Sequence, residues 1–179
     1  MNCPVDHGTL RTATLAAGLS AFECTTCAGH WLRFGDYLAW RERQPGDQPA
    51  VPSDATADLE AGSAAVVRRC PDCAYLLTRY ALGHDLAFSL DRCGHCNGIW
   101  FDKAEWAVLQ ARGLHDNLRD MFNASWQSAV RAEEREQRAA ARLTEHLGSD
   151  AVRVREFAEW VATHPRRNEI LAHVQSRIH

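Results

Sequence analysis

CPDC at residues 70–73 and CGHCNGIWFDKAEW at residues 93–106 set Cys70, Cys73, Cys93 and Cys96 in a C-x2-C-x19-C-x2-C pattern. Two residues between paired cysteines let both sulfurs turn to one side of a tight knuckle. Two knuckles closed by a hairpin then offer four thiolates to one tetrahedral ion, at about 2.3 Å each. A redox pair of thioredoxin type would instead be a single CxxC at a strand-to-helix junction. A hairpin module of under about 40 residues buries too little apolar surface to fold unaided. Structural zinc contributes an apparent 10–16 kcal/mol or so, which offsets that deficit. Zinc is therefore the expected metal, and iron is the other ion that four thiolates suit.

The same pattern occurs earlier in the chain. With Cys24 placed over Cys93, CTTCAGHWLRFGDYLAW lies on CGHCNGIWFDKAEWAVL. Both cysteines, the glycines Gly29 and Gly98, the tryptophans Trp31 and Trp100, and the acids Asp36 and Glu105 coincide. Upstream, CPVDHGTL lies on CPDCAYLL and matches Cys3 to Cys70 and Leu10 to Leu77. The chain thus carries an internal repeat. Its first copy supplies Cys3, Cys24 and Cys27, but Asp6 stands where the repeat expects the fourth cysteine, and His7 is next to it. Imidazole is a common zinc ligand and carboxylate a rarer one in closed sites, so the reading favours Cys3, His7, Cys24 and Cys27, with Asp6 supporting from behind. The alternatives are ligation by Asp6, or three protein ligands with a water in the fourth place.

The string CP-x-C, a hairpin and C-x2-C-x-G-x-W-x-D resembles the transcription factor IIB-type zinc-ribbon family of small prokaryotic zinc-finger proteins. The likeness covers residues 70–106 closely and 3–40 more loosely. It implies a zinc ribbon with ligands at Cys70, Cys73, Cys93 and Cys96, and by repetition at Cys3, Cys24 and Cys27. The first copy departs from the pattern at Asp6, and at Arg33, which replaces Asp102. Zinc ribbons serve many roles, so a transcriptional function does not transfer with the family name.

The expected fold class is α+β: two small zinc ribbons, each a β-hairpin with zinc knuckles and a short helix, then a helical C-terminal region. Ribbon 1 spans residues 1–43, a proline-bearing flexible linker 44–66, ribbon 2 residues 67–112, and the helical region 113–179. In ribbon 2, residues 75–82 and 86–92 read as strands around a turn at Gly83-His84, with Leu86, Phe88 and Leu90 alternating. Asp102 followed by Glu105 reads as a capping-box start for a helix through Arg112. Further on, Leu114, Leu118, Met121 and Phe122 form a helical apolar face. Asn123 or Ser125 can cap a long helix to Leu147, Gly148 ends it, Asp150 starts the next, and Pro165 begins a last one carrying Ile170, Val174 and Ile178. Trp126, Phe157 and Trp160 are the expected packing anchors of that region.

Charge narrows the function. The net charge is −3; residues 1–112 hold 10 basic and 13 acidic side chains, and residues 113–179 hold 10 of each. Neither part has the basic excess of a protein that grips phosphate backbones non-specifically. Arg131, Arg135, Arg138 and Arg142 line one side of the long helix and are the route by which nucleic acid would be contacted, against the plainer reading of a solvated face edged by Glu134 and Glu145. Trp31 and Trp100 are expected to pack over the hairpins and shield metal rather than stack bases, and His84 and His95 to be surface residues. Seven cysteines, an odd number, argue against a full disulfide framework, and the chain shows neither a membrane span nor a signal pattern, so a cytoplasmic location is expected. The expected function is a zinc-binding, non-enzymatic interaction or adaptor protein, with two zinc ions per chain and a protein partner. A nucleic-acid-binding transcription accessory protein is the alternative, and a rubredoxin-like iron electron carrier a second one. No nucleophile–base set, phosphate loop or paired-carboxylate motif points to an enzyme.

Overall fold

A computed structural model describes residues 1–44, 67–83, 86 and 88–178. All but the first residue of the expected linker, and the expected turn residue His84, lie outside the described residues.

Ribbon 1 is built from β1 (Leu10–Ala16), β2 (Leu19–Cys24) and β3 (His30–Leu32), followed by α1 (Phe34–Glu42). Ribbon 2 repeats the plan with β4 (Leu77–Ala81), β5 (Ser89–Cys93), β6 (Ile99–Phe101) and α2 (Glu105–Ala111). The two are not separate. Their strands form one six-stranded sheet in the order β1-β2-β3-β6-β5-β4, antiparallel at each junction. The joint is β3 against β6, where Trp31 pairs with Trp100, flanked by His30 with Phe101 and Leu32 with Ile99. Those registers interchange when the repeats are exchanged, so the sheet has an approximate two-fold axis at the tryptophan pair.

The helices seal one core over both ribbons. Leu19, Leu32, Tyr37 and Trp40 from the first copy cluster with Leu90, Phe101, Trp106 and Leu109 from the second. The Trp106 indole N–H donates to the Leu15 carbonyl of ribbon 1 at 3.1 Å. Burying a small hairpin's single apolar face against its own repeat doubles the core available to either.

The chain divides into a compact unit of residues 1–131 and another of 132–179. A 3-10 turn (His115–Asn117) and the short helix α3 (Leu118–Met121) belong to the first, because Leu118, Met121 and Phe122 join its core and the Tyr37 hydroxyl donates to the Asp116 carbonyl at 2.8 Å. The long helix α4 (Ala124–Leu147) starts there too: Asn123 Oδ1 accepts the Trp126 N–H at 2.8 Å as its N-cap. The Trp126 indole donates to the Leu82 carbonyl and packs on the ribbon core, so it anchors the start of α4 to the first unit rather than the C-terminal helices to one another.

In the second unit α4 ends at Gly148, which takes a left-handed φ of 54°, and α5 (Asp150–Thr163) and α6 (Arg167–Ile178) follow. The last helix begins two residues beyond Pro165. Phe157 and Trp160 are not buried anchors: they are 42% and 51% exposed, and Trp160 leans on Phe157 and His164. Among the described residues no helix is long and apolar enough to cross a membrane.

Candidate metal centres

Four knuckles of one backbone design carry the candidate ligands. In each, the first ligand's carbonyl accepts the N–H four residues on, and its own N–H donates to the carbonyl five residues on. His7, Ala28, Ala74 and Asn97 occupy the same place, one residue past the second ligand position, all with φ between 57° and 62°. A left-handed residue at this point reverses the chain so that both side chains before it face inward. A ligand three residues after the first is thus built into the turn.

In ribbon 2 the turn converges Cys70, Cys73, Cys93 and Cys96. Cys70 and Cys96 sulfurs lie 3.5 Å apart, as do those of Cys73 and Cys93, and all four fall within 4.8 Å of one another. A tetrahedral zinc with four sulfurs at about 2.3 Å requires edges of about 3.8 Å. A disulfide would need about 2.05 Å, and all seven cysteines of the chain are unpaired. Burial pushes the Cys70 thiol well above its ordinary pKa, as it does Cys3 in the first site. Several such thiols become thiolates together only when a cation supplies the compensating charge.

In ribbon 1 the same geometry gathers Cys3, Asp6, Cys24 and Cys27, again within 4.8 Å. Cys3 and Cys27 sulfurs are 3.6 Å apart, and Cys24 Sγ lies 3.3 Å from Asp6 Oδ1. This corrects the expected ligand His7. His7 is the left-handed residue of its knuckle, equivalent to Ala74, and its exposed side chain leaves the cluster while Asp6 takes the place of Cys73. The signal was present in the sequence: strict register with Cys70-x2-Cys73 names Asp6, and only a preference among ligand types argued against it. The Asp6 carboxyl is held down to about 2, chiefly by the Gly8 N–H at 2.8 Å and by the surrounding thiols. A Cβ at Gly8 would sit 2.7 Å from Thr26 Oγ1 and 3.1 Å from Cys24 Sγ, so a side chain there would crowd the site. Three thiolates and a carboxylate give zinc the same formal charge as four thiolates. The residues present therefore fit two zinc ions per chain, one in each ribbon.

Residues 2–43 match the family model described as transcription factor zinc-finger, the zinc ribbon of the transcription factor IIB type. That stretch is similar to the zinc ribbons of this family. The second cluster, at 70–96, is compatible with a second copy. No curated protein and no solved structure gives a significant match to the chain.

The tryptophans pack, as expected, but across the repeat. Both are buried to within 1% among the cysteines of the two sites, and a Cβ on Gly29 would overlap the Trp100 ring, while one on Gly98 would overlap Trp31. Each ribbon's ring therefore lies on the other ribbon's knuckle glycine. The polar ends break the symmetry. Trp100 Nε1 donates to Asp102 at 2.7 Å, whereas Trp31 Nε1 donates to Asp72 of the other ribbon at 3.0 Å. Arg33, standing in the place of Asp102, cannot accept a proton; it clamps Asp72 instead through Nε at 3.0 Å and Nη2 at 2.7 Å. The Arg33 departure is thus an inter-ribbon ion pair with two parallel hydrogen bonds.

The expected capping box of α2 at Asp102 is only half formed, because the Asp102 side chain turns to Trp100 and Arg68. The residue before that helix is Ala104 in left-handed conformation, and the Glu105 carboxylate reaches back to accept the Asp102 N–H at 2.7 Å. Asp102 also meets Arg68 at 3.1 Å, and Arg68 and Arg79 both bind the buried Asp91, at 2.7 and 3.0 Å. Beside this network Glu105 is pushed up to about 8, by burial first and by Asp102 second. His95 stacks on Tyr75, with ring centroids 4.4 Å apart.

Proposed function

We propose that this protein is a non-enzymatic, zinc-stabilised adaptor that binds another protein. The observation that carries the reading is the apolar surface left outside two filled ligand sets. Val5, Val67, Tyr75 and Leu76, beside the knuckles, are 39–74% exposed. Tyr75 and Leu76 border one shallow cleft with His95, and an exposed apolar patch is a feature of protein-binding surfaces. Zinc here shapes and fastens that surface, since every ligand position of both sites belongs to the chain and no open position is left for chemistry.

Nucleic acid is the second reading, and the stripe on α4 is what favours it. Arg131, Arg135, Arg138 and Arg142 are all exposed. Arg138 also pairs with Glu134 at 3.2 Å on the same helix, which offsets its charge. Against that reading stands the near-even charge balance of the chain.

The experiment compares the zinc-loaded wild type with Tyr75→Glu/Leu76→Glu and Arg135→Glu/Arg138→Glu, in protein capture and in gel shifts at two salt concentrations. Loss of a specific protein partner with the first variant alone supports the adaptor. A salt-sensitive nucleic-acid complex lost with the second variant alone overturns it.

A further inference from the structure

The two metal sites differ in one ligand, and the difference lies on the solvent side. Cys3 and Cys24 are buried and Cys27 is half-buried, but Asp6 is exposed; its counterpart Cys73 is half-buried. Zinc is a borderline-soft ion, and among thiolate ligands a lone carboxylate is the one most readily exchanged. Asp6 also has somewhere to go. Its Oδ1 already accepts the Gly8 N–H at 2.8 Å, so a carboxylate released from the metal keeps that partner. A groove of about 490 Å³ reaches the first ribbon, lined by Cys3, Pro4 and His7 of that ribbon and by Arg69, Cys70 and Pro71 of the second.

We propose that Asp6 is an exchangeable ligand of the first zinc site, which yields its position to a small-molecule thiolate, while the second site stays closed. The exchange breaks one metal–carboxylate bond and forms one metal–sulfur bond. The incoming thiol's proton passes to solvent, and no electron changes hands. Cys3, Cys24 and Cys27 keep their places, so the ribbon gains a guest without losing its ion. This holds whichever macromolecule the ribbons bind, and it gives the first ribbon a ligand-responsive face that the second lacks.

The test uses the full chain with cobalt in both sites and 2-mercaptoethanol as probe, read by thiolate-to-cobalt charge-transfer absorbance. Absorbance should rise by about one-seventh as seven metal-bound thiolates become eight, since its intensity follows the number of sulfurs on the metal. Asp6→Cys starts with eight and should not respond; Asp6→Ala, which keeps three thiolates and an open position, should respond at lower thiol concentration than wild type. No change in wild type, an equal rise in Asp6→Cys, or stripping of cobalt by the probe would overturn the proposal.

Discussion

Trp31 and Trp100 stand directly opposite each other across β3 and β6, and each indole covers the knuckle glycine of the other's ribbon. Two modules that are separate in sequence thereby share a sheet, a core and the shielding of both metal sites. A consequence is that neither ribbon is an independent folding unit.

Replacing Gly29 or Gly98 with alanine should be costly out of proportion to one methyl group. The new Cβ would overlap an indole ring that is fully enclosed and has no space to retreat. Overpacking of this kind costs about 1–3 kcal/mol, to be read as a lower urea midpoint with an unchanged slope. Similar losses in both variants are expected from the two-fold arrangement.

Cys93→Ser should lower the stability of ribbon 1 as well as ribbon 2. Loss of one sulfur opens the second site, and β6 then no longer holds β3. Hydrogen exchange should show the amides of β2 and β5 opening together. Exchange confined to residues 67–111 would show that the shared sheet is not cooperative.

The Arg33–Asp72 clamp separates a modest term from a large one. Arg33 is half-exposed, so Arg33→Ala should cost no more than about 1 kcal/mol. Asp72→Ala removes the acceptor of the buried Trp31 N–H too, and should cost about 1–3 kcal/mol by the same denaturation measurement.

Much of this fold was legible in the sequence, and what was missed has identifiable causes. The knuckle pattern pointed to the four cysteines that gather in ribbon 2 and the three that gather in ribbon 1, and the repeat register pointed to Asp6; a preference for imidazole over carboxylate selected His7 instead. Capping-box spacing at Asp102 and Glu105 was real and Glu105 makes its half, but Trp100 and Arg68 draw the Asp102 side chain away and the residue before the helix is Ala104. The merger of the ribbons could have been inferred from the paired Gly29/Gly98 and Trp31/Trp100, because a ring matched to a glycine needs that glycine within reach. Strand pairing between copies, however, leaves no periodicity of its own. Phe157 and Trp160 show the opposite failure: large aromatics were read as core, but the second unit leaves them at its surface.

Glu105 gives a pH prediction with a definite sign. Its folded pKa is about 8 against an ordinary 4.5, so the folded state keeps a proton that the unfolded state has lost between these values. Stability should therefore fall as pH rises through that window, by at most about 1.4 kcal/mol per pH unit, and level off above it. Glu105→Gln should flatten the slope, as seen in urea midpoints measured with zinc in excess over the neutral half of the range.

The fourth ligand of the first site can be read from metal content. Asp6→Ala should weaken first-site zinc binding by more than the about 10–100-fold that loss of a partner behind a ligand costs, while His7→Ala should keep both ions at full affinity. His7→Gly should be slightly stabilising, because the position has a φ of 62°.

Native mass spectrometry of the full chain, purified without added metal or chelator, tests the central claim most directly. Seven unoxidised cysteines and a mass increment of two zinc ions per chain are the expected result. A chain lighter by the hydrogens of cystine bonds and free of metal, or one carrying iron in place of zinc, would contradict it.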